Sequence, residues 1–356
     1  MCKYASHLPD NLVNKSKKYL KIYLERDTKN YICLRNVMKV YLSTGVLCMC
    51  MKNIIKFLLL SPMAFSAVGC NAKQAKPVDV VVISGQSNAV GCTHSDCLER
   101  SMGYDKLDEY MAGYPGIQIA YDCWTKDVLG DGTPVFYSQN KRQDEKFFKV
   151  MLGQGNSEAT FGPEIGIAEA MHEKYAGKLF LIKYACGASN LKDDWAQRNS
   201  PMYNRFVTYV KKQMDNLKSM GYKPTIKAFC WMQGEGDSYP GYYDKYYENL
   251  QTFVGNLRSD LKELSGNKDF PFIDAGINNS PQWQFYREVN EAKKQFANDS
   301  DNNFYIDTIE AGMHTNKEPF NNVDTAHYDT ESQVLLGHLF AEAFEPFLEK
   351  PEVETK

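Results

Sequence analysis

The sequence holds no Cys-x-x-Cys pair and no His/Cys cluster at zinc-ligand spacing. A structural zinc site is therefore not expected, and neither a metal nor a cofactor is needed to explain the chain. There is no internal repeat and no low-complexity segment. No apolar run is long enough to cross a bilayer; the best one, residues 57–68, is too short and wrongly flanked. Basic residues are scarce in the larger part of the chain. Residues 70–356 carry 30 Lys and Arg against 41 Asp and Glu, whereas residues 1–69 carry eleven against three. Binding to nucleic acid needs clustered cations to neutralise phosphates, so this acidic body excludes nucleic acid as a partner.

The basic, apolar segment that is present has the order of an export signal. Met51-Lys52-Asn53-Ile54-Ile55-Lys56 opens it, an almost wholly apolar core follows, and small residues precede Cys70. Its end, Ala67-Val68-Gly69-Cys70, resembles the lipobox of bacterial lipoproteins. The resemblance implies lipidation of Cys70, attachment to the bacterial cell envelope and no other membrane contact. An ordinary cleaved secretory signal is the alternative. A signal normally starts a chain, so residues 1–50 are expected to be an upstream extension, with a genuine basic arm as the rival reading. The expected boundaries are an extension at 1–50, a signal at 51–69, a linker at 70–77, one domain at 78–348 and a tail at 349–356. Export would place five further cysteines in an oxidising space. Cys186 and Cys230 read as buried thiols at strand ends, while Cys92, Cys97 and Cys123 leave room for one disulfide.

Strand-like runs recur at 78–84, 117–122, 179–185, 225–232, 271–276 and 304–307. Helix-period segments lie between several of them, at 163–175, 202–220, 243–264 and 331–348. Alternation of this kind predicts an α/β protein: a three-layer α/β/α sandwich around a mainly parallel sheet. Residues 91–161 fit the pattern poorly. They are rich in Gly, Asp and Tyr, and are expected to form a substrate-facing insertion with one strand inside it.

The run VDVVVISGQSNAVG at 78–91 carries the most chemistry. A β-branched run stops at Ser84-Gly85, and Ser87 follows where a buried strand should turn into a helix. Ligands of open α/β sheets bind at the carboxyl ends of the strands. A serine there is exposed, and its own N–H can face a developing negative charge; a plain capping serine is the alternative. A nucleophilic serine needs a base, and the base an orienter. Among the histidines after residue 70, His327 stands out because Asp324 precedes it by three residues, so that one loop can present both side chains. His172 and His338 fall inside predicted helices, and His94 and His314 in loops.

GQSNA at 85–89, FGPEIG at 161–166, KYACGAS at 183–189, WMQGEGD at 231–237 and DTAH at 324–327 appear in the order seen in SGNH-type esterases. More closely they resemble the sialic-acid-specific acetylesterase and acetylxylan esterase group, carbohydrate esterase family six. The resemblance spans residues 78–347. It implies a flavodoxin-like SGNH fold and removal of O-acetyl groups from a carbohydrate through an acetyl-enzyme. It further implies Ser87 as nucleophile, His327 as base and acid, and Asp324 as orienter. The oxyanion hole would comprise the N–H of Ser87, the N–H of Gly187 and the side-chain amide of Gln233. Gln86, Asn88, Trp195 and Glu235 are candidates for substrate contact or for support of the site. The rival functions are a non-catalytic glycan-binding lipoprotein, an esterase for non-carbohydrate esters, and a glycoside hydrolase built on Glu235 and Asp237.

Overall fold

The computed structural model describes residues 74–142 and 144–350. The expected extension, signal and lipidated Cys70 lie outside these residues. In chain order the main elements are β1 (Lys76–Gly85), α1 (Ser87–Val90), β2 (Thr93–His94), α2 (Leu98–Met102), α3 (Tyr104–Ala112), β3 (Tyr114–Val128), β4 (Pro134–Lys141), β5 (Phe148–Val150) and β6 (Thr160–Phe161). Then follow α4 (Glu164–Tyr175), β7 (Leu179–Gly187), α5 (Pro201–Ser219), β8 (Tyr222–Met232), α6 (Tyr246–Asp260), β9 (Phe272–Ala275), α7 (Tyr286–Ala297), β10 (Asn303–Ile306) and α8 (Thr330–Phe344). Since β1 starts at Lys76, the last residues of the expected linker belong to the first strand.

The strands form one sheet in the order β10-β9-β8-β1-β7-β3-β4, with β5 also on β3. Every pairing from β10 to β3 is parallel, and β4 and β5 are antiparallel to β3. With β2 to β6 set aside as an insertion, the five remaining strands take the order 2-1-3-4-5, that of doubly wound flavodoxin-like sheets. The insertion is richer than its sequence suggests. It holds five strands and two helices, and its long strand β3 extends the main sheet beside β7.

The core explains the hydropathy of the central strands. β1 from Val78 and all of β7 are buried, as expected of parallel strands covered on both faces. Helices α4 and α8 pack against each other on the face that Lys183 points to, where Lys183 meets Glu164 at the start of α4. The opposite face receives α5, whose Phe206 and Tyr209 meet Tyr184. On that side Trp195, Phe206, Phe229, Trp231, Phe253 and Phe272 form a continuous aromatic cluster. Such rings dominate core energetics and favour the edge-to-face contacts that recur here.

Candidate active site

β1 lies at the centre of the sheet and ends at Gly85, whose φ is 142°. A Cβ there would sit 2.0 Å from the carbonyl oxygen of Met232 on β8, so only glycine allows the chain to turn this close to its neighbour. Gln86 donates its backbone N–H to Met232 and accepts from Ala89 and Val90, which winds α1. In this turn Gln86, Asn88, Ala89 and Val90 are buried, and Ser87 alone is partly exposed. The N–H of Ser87 has no acceptor among the described residues. Gly187, at the end of the neighbouring strand β7, lies alongside: a Cβ on it would stand 3.9 Å from that of Ser87 and 3.4 Å from Oγ1 of Thr125.

The loop before α8 supplies the basic side chain. His327 Nδ1 lies 2.5 Å from Asp324 Oδ2. The other carboxylate oxygen of Asp324 accepts the N–H of Ala326 at 2.7 Å and of His327 at 3.3 Å, so one aspartate fixes both the loop and the ring. Thr325 between them is tied outward, to Gln282 and to Thr315. Burial of the imidazole works against its charge. The Asp324 carboxylate, followed by the Cys92 sulfur beside the ring, outweighs burial and raises the pKa to about 10. For Asp324, burial raises the pKa, but the bond and charge of His327 hold it below its ordinary value. Cys92, His94, Pro319, Asp324 and His327 line a narrow crevice next to the ring.

Three strand ends thus bring the expected groups to one edge of the sheet, but two of the expected contacts differ. Gln233 is fully buried, and its two amide hydrogens point at acceptors, Gln86 Oε1 at 3.1 Å and Asp237 Oδ2 at 2.6 Å. Its own oxygen accepts from Tyr246 at 3.1 Å. No N–H of that amide is left for an oxyanion; Gln233 braces the loop instead. Trp195 is also fully buried, donates to Ser189 Oγ at 2.9 Å and packs edge-on against Trp231, so it is a core residue and no wall for a sugar.

Gln86, Asn88 and Glu235 support the site from behind. Gln86 Oε1 accepts from Gln233, Gly234 and Gly236 and so holds the loop after β8. Asn88 Nδ2 donates to Glu235 Oε1 at 2.7 Å and to the Ala326 carbonyl at 3.4 Å, while its Oδ1 accepts the Tyr328 N–H at 3.0 Å. Glu235 and Asp237 are both 0 % exposed, and burial raises both pKa values, that of Asp237 to about 6. Two carboxyls sealed from solvent cannot flank a glycosidic bond, which removes the glycoside hydrolase reading.

Sequence reading missed several groups. Lys183, on a fully buried strand, reaches Glu164 at 2.8 Å and the carbonyls of Val90 and Gln154 at 3.0 and 2.6 Å, clamping the far end of α1. His314 pairs with Asp329 at 2.7 Å, a second His–Asp pair, whose other ring nitrogen is taken by Lys317. Only the 15-residue gap hid it. The five described cysteines are free thiols: Cys123, Cys186 and Cys230 are buried as sheet residues, and no disulfide joins Cys92, Cys97 and Cys123. The described residues contain no cluster of His, Cys, Asp and Glu that could hold a metal ion.

The sheet is mainly parallel and doubly wound, and it places a serine in the turn after its central strand, at the edge where such sheets bind ligands. The chain belongs to the family described as carbohydrate esterase, sialic acid-specific acetylesterase, whose model matches residues 77–345. Among solved structures it is similar to a protein from Arabidopsis thaliana, at 22% identity and a TM-score of 0.52, over 77% of this chain and 100% of the other. It is also similar to NanS, at 15% identity and a TM-score of 0.51, over 77% of this chain and 98% of the other. A comparison with curated proteins finds no match. The protein is a carbohydrate esterase acting on O-acyl groups.

Proposed function

We propose that this esterase removes acetyl groups by a serine mechanism centred on Ser87. One observation carries the reading: Asp324 and His327, 2.5 Å apart, stand in the loop that is hydrogen-bonded to Asn88, the residue next to the partly exposed Ser87. Ser87 Oγ attacks the acetyl carbonyl while His327 Nε2 takes its proton. Asp324 holds the ring by Nδ1–H and favours the imidazolium that forms. The backbone N–H of Ser87, joined by that of Gly187, stabilises the oxyanion; each such donor is typically worth about 10²–10³ in rate. His327 then protonates the departing sugar hydroxyl, and water activated by the same ring releases acetate.

The acyl carrier in this reading is an acetylated sialic acid or a related acetylated glycan, with xylan as the neutral alternative. The sequence of residues 51–70 supports an exported, lipid-anchored protein attached through Cys70, its only membrane contact. The test is acetate release from an aryl acetate and from a panel of acetylated glycans, wild type beside Ser87→Ala. Ser87→Ala should remain folded and lose at least about 10³-fold in turnover. Sugar binding by a folded wild type without ester turnover would instead favour the glycan-binding reading. Loss of fatty-acid incorporation in Cys70→Ala tests the anchor.

A further inference from the structure

The serine and the base lie on segments 240 residues apart, and something must set their separation. We propose that Asn88 is the positioning residue that does so, with the Glu235 carboxylate as its anchor; this rests on the esterase reading above. Asn88 follows Ser87 directly, so its backbone moves with the nucleophile. Its side chain hydrogen-bonds both neighbours of His327: Oδ1 accepts the N–H of Tyr328, and Nδ2 faces the carbonyl of Ala326. The base is thus gripped from either side by the residue next to the nucleophile.

The orientation of this amide is unambiguous. Nδ2 faces two acceptors, the Ala326 carbonyl and Glu235 Oε1, while Oδ1 faces a donor. A flipped amide would oppose like groups at all three contacts. Glu235 supplies the strongest of them, a charge-assisted bond of 2.7 Å in a pocket that excludes solvent. Asn88 is held on its backbone side as well: its carbonyl accepts from Gln333 of α8, at 3.1 Å. With Asn88 and Gln333 both 0 % exposed, neither side chain has a free conformation to adopt. Bonds from the base loop and from the final helix therefore meet on the residue beside the nucleophile, with Thr93 as a second tie to Tyr328. Its value lies in geometry: a misplacement of about 1 Å between reacting groups costs about 10²-fold in rate.

Asn88→Asp tests this with almost no change of shape. The new carboxylate keeps the acceptor for Tyr328 but sets an oxygen against Glu235 and Ala326. We expect kcat to fall about 100-fold, with KM changed by less than about threefold. Adding Glu235→Gln returns a donor to the pair, because the new amide can donate to the new carboxylate. The double variant should recover to within about tenfold of wild type. Thermal melts of all variants show whether each is folded. Low kcat with unchanged KM in a folded single variant, and recovery in the double, support the role. Wild-type kcat in a folded Asn88→Asp, or a folded double variant as poor as the single, overturns it. Activity that merely follows the folded fraction in every variant also overturns it, since Asn88 would then serve stability alone. Absence of turnover in the wild type, or its persistence in Ser87→Ala, fails the esterase reading itself and is separate from these outcomes.

Discussion

His327 holds its proton over a wider pH range than a free imidazole because a carboxylate sits on one of its nitrogens. If His327 is the general base proposed above, it must be neutral before it can accept a proton, so the rate should rise with pH through the alkaline range, toward about 10. Asp324→Asn removes the charge that favours the imidazolium. Its rising limb in a kcat/KM profile should move to lower pH, and its plateau should fall by orders of magnitude because the ring loses its orienter. An unmoved limb would take Asp324 out of the mechanism. The stability linkage runs the other way. A histidine whose folded pKa lies above the ordinary 6.5 adds stability below that value, and the contribution fades as pH rises through about 10. Residues of this kind were legible in sequence when partners lay close together, as Asp324 and His327 do. Lys183 was not legible as a site-builder, because a lysine in an apolar run gives no sign of a buried carboxylate on the following face. Nor could sequence show that Gln233 spends its amide on Gln86 and Asp237, since that depends on which loops meet.

Among the elements, the turn from β1 into α1 is the most constrained. Gly85→Ala would need a Cβ 2.0 Å from a backbone oxygen, at a φ that L side chains rarely adopt. We expect it to cost ~3 kcal/mol or more in chemical denaturation and to abolish turnover in the fraction that still folds. Strands β1, β7, β8, β9 and β10 were readable as apolar runs with a turn after each. Helix α7 was not, and its buried face shows why: Val289 and Phe296 share it with Asn290 and Lys293, which are satisfied inside by Ile277 and by Asp274. Val289 and Phe296 are the only large apolar residues buried on that stripe, so the segment reads as a polar stretch rather than as a run of core positions at helical spacing. β3 was foreseen only over its middle. It runs from Tyr114 to Val128 because a register shift at Cys123 and Trp124 lets it go on pairing with β4 beyond the point where its hydropathy fades.

At the scale of the whole molecule, charge and topology matter most. The described domain belongs to the acidic part of the chain, residues 70–356, with eleven more acidic than basic residues. A polyanionic glycan should approach it against a repulsive field that salt screens over about 8–10 Å. For an acidic acetylated glycan, kcat/KM should therefore rise a few-fold between about 20 and 300 mM salt, and for a neutral aryl acetate it should stay flat. A rise for both would point away from long-range charge. The fold class was legible because alternating strands and helices leave few solutions. The strand order was not, because pairing of β1 with β8 joins residues about 150 apart in the chain. Separation along the chain also has a temporal meaning. Ser87 is made 240 residues before His327 and the helix that follows it. If Ser87 and His327 act as proposed, a growing chain carries a serine without its base and should not hydrolyse the esters it meets. On the proposed mechanism activity depends on the segment that carries His327, so turnover reports that this late segment has been made and has folded onto the earlier one.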